Sequence, residues 1–282
     1  MLAIITDSTC DLPAGELRDL NVRRVPLYVH FKGETYKDWL EVSPKDIVAG
    51  VSAGAAIPTT SQPSPQDFIN AFEAAVTQGA TEILCVVISS GLSGTYGSAT
   101  VAAEDVGVPV HVFDSKAASL GIAMMVKRAA AMRDQNAETD AILGELERIR
   151  VQAMLRFTVG TLDYLKKNGR IGGANALLGS LLNIKPILSV VDGRVEPVGR
   201  VRGSKKALQT MLTDFRELAK QGKPVVHFLH IQDVPAAETL RDELQKSGIE
   251  YQDNGVYEIG AVIATHVGPG TYGFYAYPEL QS

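Results

Sequence analysis

Two α/β domains are predicted from the amino-acid sequence: an N-terminal three-layer α/β/α domain with a mainly parallel sheet over residues 1–152, and a C-terminal two-layer α+β domain with a mixed sheet over 153–282. The first prediction rests on short apolar runs at 2–6, 83–88 and 108–112. They close on Asp7-Ser8, Ser89-Ser90 and Asp114-Ser115, and each leads into helix-like sequence. That is the outline of βα units, whose carboxyl strand ends share one edge of a parallel sheet. The second rests on a change of pattern after Phe157. There, runs at 184–191 and 194–198 flank Asp192-Gly193, a hairpin turn, and alternate with amphipathic helices.

Composition agrees with this class. The 282 residues are 45% hydrophobic and 21% charged, enough apolar material for a core. The formal net charge of -5 argues against a nucleic-acid partner, because no excess of cations is available to displace counterions. Cys10 and Cys85 are the only cysteines, and Cys85 lies inside an apolar strand, so a buried thiol is expected rather than a disulfide. The chain enters a strand at once, with no basic leader. No run approaches the roughly 18 apolar residues that span a bilayer. A cytoplasmic protein without membrane insertion is expected.

In chain order, 25–36 reads as a small hairpin insertion turning at Lys32-Gly33-Glu34. Ser43 and Pro44 open a short helix. Residues 57–65 form a hydroxyl-rich loop, stiffened by Pro58, Pro63 and Pro65, that would hold Thr60 and Ser61 in a fixed direction. The plainer reading of this loop is a surface turn capped by Ser64. Helices are expected at 116–132 and 137–152, a strand at 157–162, and short helices at 163–168 and 175–182. A long helix opens at Gly203-Ser204, a strand follows at 225–231 and a helix at 236–246. The last apolar strand is expected at 257–265, with 274–277 finishing the sheet.

The stretch 83–97, ILCVVISSGLSGTYG, carries the main site hypothesis. Hydroxyls and bare backbone N–H groups at a helix start form a cup for an anion. His266 is the most informative histidine, since it follows an apolar run and precedes Gly268-Pro269-Gly270. His227 and His230 are three apart in a strand and so face opposite sides, while His30 and His111 have no partner pattern. Ser93, His266 and Asp114 have the residue types of a nucleophilic triad, but the G-x-S-x-G elbow is missing. There is no G-x-x-x-x-G-K-[ST] loop for nucleotide phosphate. Asp7 and Asp114 offer two carboxylates with no third ligand, so no metal is expected. They also read simply as helix caps. Lys166, Lys167, Arg170, Arg200, Arg202, Lys205 and Lys206 form either a solvated face or a docking surface for an acidic partner or a phosphate.

Taken together, TDSTCDLP at 6–13, TSQPS at 60–64, ISSGLSGTY at 88–96, Asp114-Ser115, LDYL at 162–165 with GRI at 169–171, IKPIL at 184–188, and GAVI at 260–263 with THVGPG at 265–270 resemble the DegV family. These are bacterial fatty-acid-binding proteins that present acyl chains to a fatty acid kinase. Gly97 departs from the pattern, where a larger polar residue is expected. The resemblance implies two α/β domains holding a lipid between them. It implies a carboxylate bound by Ser93 and by the hydroxyl loop (Ser61 with Thr60), with His266 nearby. It also implies that Arg170 and Arg202 engage the kinase catalytic subunit, which holds the ATP. On this reading the protein is not itself an enzyme and carries no cofactor or metal. The rival readings are an acyl hydrolase or transferase using Ser93 and His266, and a carrier of another apolar carboxylate. Burying ~15 methylenes at ~0.8 kcal/mol each gives about 12 kcal/mol gross, before association costs of ~4 kcal/mol or more. The tail can therefore hold the ligand while neutral hydroxyls orient its head.

Overall fold

Why the first apolar runs are so continuous is plain in the computed structural model, which describes residues 1–178 and 184–279. β1 (Leu2–Asp7) pairs in parallel with β2 (Val22–Val25), which follows α1 (Ala14–Asp19). After β3 (Tyr28–Phe31), β4 (Glu34–Lys37), α2 (Pro44–Ser52), β5 (Thr59–Ser61) and α3 (Pro65–Thr77) comes β6 (Glu82–Val87), which pairs in parallel on the other side of β1. α4 (Thr95–Ala103) leads to β7 (Val110–Asp114), parallel to β6, giving the order β2-β1-β6-β7. One face, with Ile5, Ile83, Cys85 and Val87, packs against Phe68 and Phe72 of α3 and Ala99 and Ala102 of α4. Across the sheet, α5 (Leu120–Asp134) packs on β1 and β6, and Ile4 and Leu84 are buried there too. Strands covered on both faces read as unbroken apolar runs. α6 (Thr139–Gln152) follows.

The expected hairpin at 25–36 is β3 and β4, joined by β5 into a separate antiparallel sheet of order β4-β3-β5. Ser64 caps α3 in a reciprocal box with Asp67, and Pro65 opens the helix.

The later part holds a mixed sheet of order β10-β9-β8-β13-β11-β12. Its elements are β8 (Met154–Thr158), α7 (Asp163–Lys167), a 3-10 turn at Gly172–Leu177, β9 (Ile184–Val191) and β10 (Arg194–Arg202). α8 (Ser204–Ala219), β11 (Pro224–Ile231), α9 (Val234–Lys246), β12 (Gln252–Glu258), α10 (Ala261–Val267) and β13 (Thr271–Pro278) complete it. Met211, Phe215 and Leu218 of α8 and Leu240 and Leu244 of α9 cover one face, over Val226, Phe228, Phe274 and Ala276. The chain thus combines a parallel α/β layer with a mixed sheet, the predicted fold class.

By internal contacts, Met1–Ser43, Pro58–Val151 and Gly260–Val262 form one compact unit. Pro44–Ile57, Gln152–Ile259 and Ile263 onward form the other. The expected boundary at 152/153 treats each domain as continuous in sequence, whereas these units are not.

Four expected helices and strands differ. The helix expected from 116 starts at Leu120, because Lys116 and Ser119 take positive φ (50° and 56°) in the turn before it. The strand expected at 157–162 is Met154–Thr158, its register fixed by pairing with Tyr272–Ala276 of β13. The helix expected at 175–182 is in part the 3-10 turn ending at Leu177; residues 179–183 lie outside the described residues. The strand expected at 257–265 ends at Glu258, and α10 takes the rest. An apolar run of this length satisfies both periods. What decides it is Asp38, whose Oδ1 accepts from the N–H groups of Ala261 (3.1 Å) and Val262 (3.3 Å) at the helix start.

Candidate functional site

The parallel order brings the ends of β1, β6 and β7 side by side, as the repeated Ser and Asp endings suggested. Both carboxylates turn inward on the backbone. Asp7 caps the 3-10 turn Ser8–Cys10, accepting from Thr9 N (2.8 Å), and its second oxygen accepts from Ile88 N (2.7 Å). Asp114 accepts from Ser90 N (3.1 Å) and Lys116 N (3.2 Å), while Lys116 Nζ lies 2.7 Å from its other oxygen. Burial pushes the Asp7 carboxyl up despite these donors. At Asp114 burial acts the same way, but the bonds from Lys116 and Ser90 outweigh it and hold the carboxyl low. The capping role expected from sequence holds for Asp7, whereas Asp114 does not cap α5, whose N-cap is Ser119; together the two carboxyls anchor residues 88–90.

That anchored turn presents Ser93. Leu92 N and Ser93 N donate to Ser89 O (2.9 and 3.1 Å), and Gly91 N donates to Ser89 Oγ (3.1 Å). Ser93 is half-buried, its Oγ 2.8 Å from Thr95 Oγ1 and accepting from Thr95 N (3.3 Å) at the start of α4. Gly94 leaves room for a neighbouring side chain. A Cβ at this position would overlap the amide of Gln62, which reaches across to donate to Ser98 Oγ (3.1 Å). Gln62 thus joins the hydroxyl segment to the glycine turn. Sequence reasoning passed over it, although the polar residue between Ser61 and Pro63 was its signal.

The hydroxyl segment is a strand rather than a loop. Successive residues of a strand face opposite sides, so Thr60, opposite the buried Val29, and Ser61, opposite Tyr28, leave different faces of β5. Ser61 Oγ lies 3.0 Å from His30 Nε2, and His30 Nδ1 lies 2.9 Å from Thr35 Oγ1. His30, which showed no partner pattern in the sequence, therefore has a hydroxyl at each ring nitrogen.

His266 sits in the last turn of α10, not after a strand. The helix ends at Gly268, whose φ of 74° and close contact with the Tyr164 ring suit only glycine. Gly268 N donates to Ala264 O (2.9 Å), and Thr271 Oγ1 donates to Gly268 O (2.8 Å). Burial, then the positive charge of Arg170, pushes the His266 imidazole down to about 4, so it is neutral at pH 7. Nearby, Asn168 Nδ2 donates to Thr265 O (2.9 Å). Arg170 and Arg202 are exposed; Arg170 donates to Asn168 O (2.8 Å), and Arg202 ends β10 opposite Ile184.

His227 and His230 leave opposite faces of β11, as expected. His230 pairs with Tyr272, a member of the helix-covered core, while the His227 ring lies 5.6 Å from that of Tyr257. Cys10 and Cys85 are buried free thiols, and burial pushes Cys10 up to about 12. Two further buried carboxyls went unnoticed in the sequence. Asp11 Oδ1 accepts from Gly260 N (3.0 Å) and Trp39 Nε1 (3.3 Å); Asp38 Oδ2 accepts from Ser8 Oγ (2.7 Å). Burial pushes Asp38 up to about 6, and burial with repulsion from Asp38 holds Asp11 well above the usual carboxylate range. No helix among the described residues is long and apolar enough to cross a membrane.

The family model described as "Uncharacterised protein, DegV family" matches residues 1–279. A DegV domain-containing protein of Deinococcus radiodurans is 47% identical over 274 residues, 96% of each chain. Among solved structures, a fatty-acid-binding DegV family protein from Thermus thermophilus superposes with a TM-score of 0.96 at 48% identity, covering 99% of both chains. DegV from Bacillus subtilis, described as a fatty acid binding protein, gives 0.89 at 28% identity, with 99% of each chain covered. The two solved structures are described by what they bind rather than by a reaction. A match along nearly the whole length, in sequence and in fold, makes this chain a member of the DegV family.

Proposed function

We propose that this protein binds a long-chain fatty acid and presents its carboxylate to a fatty acid kinase. The observation that carries the first half is the superposition, at a TM-score of 0.96 and 48% identity, on a relative described as binding fatty acid. The Ser93 turn supports the head-group role. It exposes a hydroxyl and the backbone of a glycine turn, while its neighbouring carboxylates are already committed to backbone donors. Ser93, with Ser61 as a further hydroxyl, orients the carboxylate; Thr60, on the opposite face of β5, supports the strand rather than the head group. His266, neutral at pH 7, adds a hydrogen bond rather than a charge. Orientation by neutral donors leaves a carboxylate oxygen nucleophilic enough to attack a phosphate held by the kinase. Arg170 and Arg202 serve the kinase contact.

Mass spectrometry of an organic extract of the purified protein tests the reading. A fatty acid in the extract, or saturable binding of an added long-chain acid, is expected; neither being found overturns it. Added kinase and ATP should then yield an acyl phosphate only when this protein is present. Turnover of an activated ester by this protein alone, abolished in Ser93→Ala, would instead favour a hydrolase.

A further inference from the structure

The small sheet β4-β3-β5 has a polar face with a histidine at its centre. Residues opposite one another in register share a face. This one therefore carries Tyr28 and His30 from β3, Thr35 and Lys37 from β4, and Thr59 and Ser61 from β5. Val29 and Phe31 are buried on the other face. His30 bridges the three strands, with Nε2 3.0 Å from Ser61 Oγ and Nδ1 2.9 Å from Thr35 Oγ1.

A neutral imidazole has one N–H donor and one acceptor, and a hydroxyl has one hydrogen to give. If Nε2 accepts, the Ser61 hydrogen is spent on His30, and only lone pairs face outward. If Nε2 carries the hydrogen, it donates to Ser61 Oγ, Nδ1 accepts from Thr35, and the Ser61 hydrogen is free for another acceptor. In the imidazolium both nitrogens donate, so the outward orientation is enforced and a positive charge stands one hydrogen bond behind it. We propose that His30 is a positioning residue that aims the Ser61 hydroxyl at an anionic ligand, and that binding an anion at Ser61 is coupled to proton uptake by His30. This rests on the reading above that Ser61 meets the carboxylate of the bound acid.

The surroundings suit such coupling. β5 contributes only hydroxyls to the face, and β4 contributes Lys37, whose backbone N–H donates to Glu41. From α3, Asp67 accepts from Tyr28 Oη (3.1 Å), so its charge is engaged beyond Tyr28.

Dodecanoate binding to the full chain, measured by calorimetry in two buffers of different ionisation enthalpy at pH 6 and pH 8, tests this, with dodecanol as the uncharged control. The wild type is expected to take up protons with dodecanoate and to bind it roughly threefold to tenfold tighter at pH 6, beyond any change seen with dodecanol. His30→Gln keeps an amide donor to Ser61 but cannot titrate. It should hold the pH 8 affinity and lose the proton uptake, whereas His30→Ala should lose both. Wild-type proton uptake in His30→Gln overturns the coupling and leaves the carrier reading standing. Wild-type affinity in Ser61→Ala removes Ser61 from the site and overturns the inference with it, while binding of acid by the protein is scored separately.

Discussion

At the scale of single residues, the unexpected feature is the pair Asp11 and Asp38, both fully buried. A carboxyl whose pKa is raised in the folded state binds protons there that the unfolded chain releases, so acid favours folding. For Asp38, raised from 3.8 to about 6, the contribution is complete below about pH 4 and lost as pH rises through 6. Its size is roughly 3 kcal/mol, and Asp11 shifts in the same direction. Thermal melts should therefore show stability from this pair falling between pH 4 and pH 7. Asp11→Asn supplies a neutral side chain that still accepts from Gly260 and Trp39, and it relieves the repulsion on Asp38. Its Tm at pH 7 should match or exceed the wild type, with a shallower pH slope. A lower Tm with the slope unchanged would mean that the charge itself is needed. Neither carboxyl was legible in the sequence, because each serves donors more than 200 positions away, at Gly260, Ala261 and Val262. Asp7 and Asp114 were legible because part of their work is local, on Thr9 and Lys116.

At the scale of elements, βα units announced themselves through their endings, whereas α10 was misread and β5 was taken for a loop. Both errors have one cause. A short segment adopts the conformation its distant partners demand: β3 for β5, Asp38 for α10. The glycine turn at 91–94 was found from its composition, but the reason for Gly94 lies with Gln62. Gly94→Ala should displace that amide from the turn. We expect Gly94→Ala and Gln62→Ala each to weaken fatty acid binding, with the double variant little worse than either, since both break one junction. Fully additive losses, measured by titration, would mean that the two residues act separately. Gly268→Ala tests the end of α10 in the same way. A side chain at positive φ costs roughly 1–2 kcal/mol, and contact with Tyr164 adds to it, so a Tm several degrees lower is expected.

At the scale of the whole molecule, the net charge of -5 conceals an uneven distribution. The described ion pairs include Arg128, Arg148, Arg150, Arg156 and Arg241. Arg200, Arg202, Lys205 and Lys206, by contrast, follow one another along the end of β10 and the first turn of α8, all exposed. Lysines in the first turn of a helix oppose its dipole and do not stabilise it. No acidic residue shares that turn. A surface that is locally unfavourable yet strongly cationic suits an acidic partner, and a partner contact made by exposed charges acts mainly on association rate and is screened by salt. Arg202→Ala and Arg170→Ala should therefore leave fatty acid affinity within about twofold of wild type. Acyl phosphate formation with the proposed kinase should fall several-fold, through the concentration of this protein needed for half-maximal rate rather than through the maximal rate. The defect should shrink as ionic strength rises and the wild type itself weakens. Equal loss of lipid binding and kinase coupling would instead assign the arginines to the folded structure of their own unit, where Arg170 already grips Asn168 O.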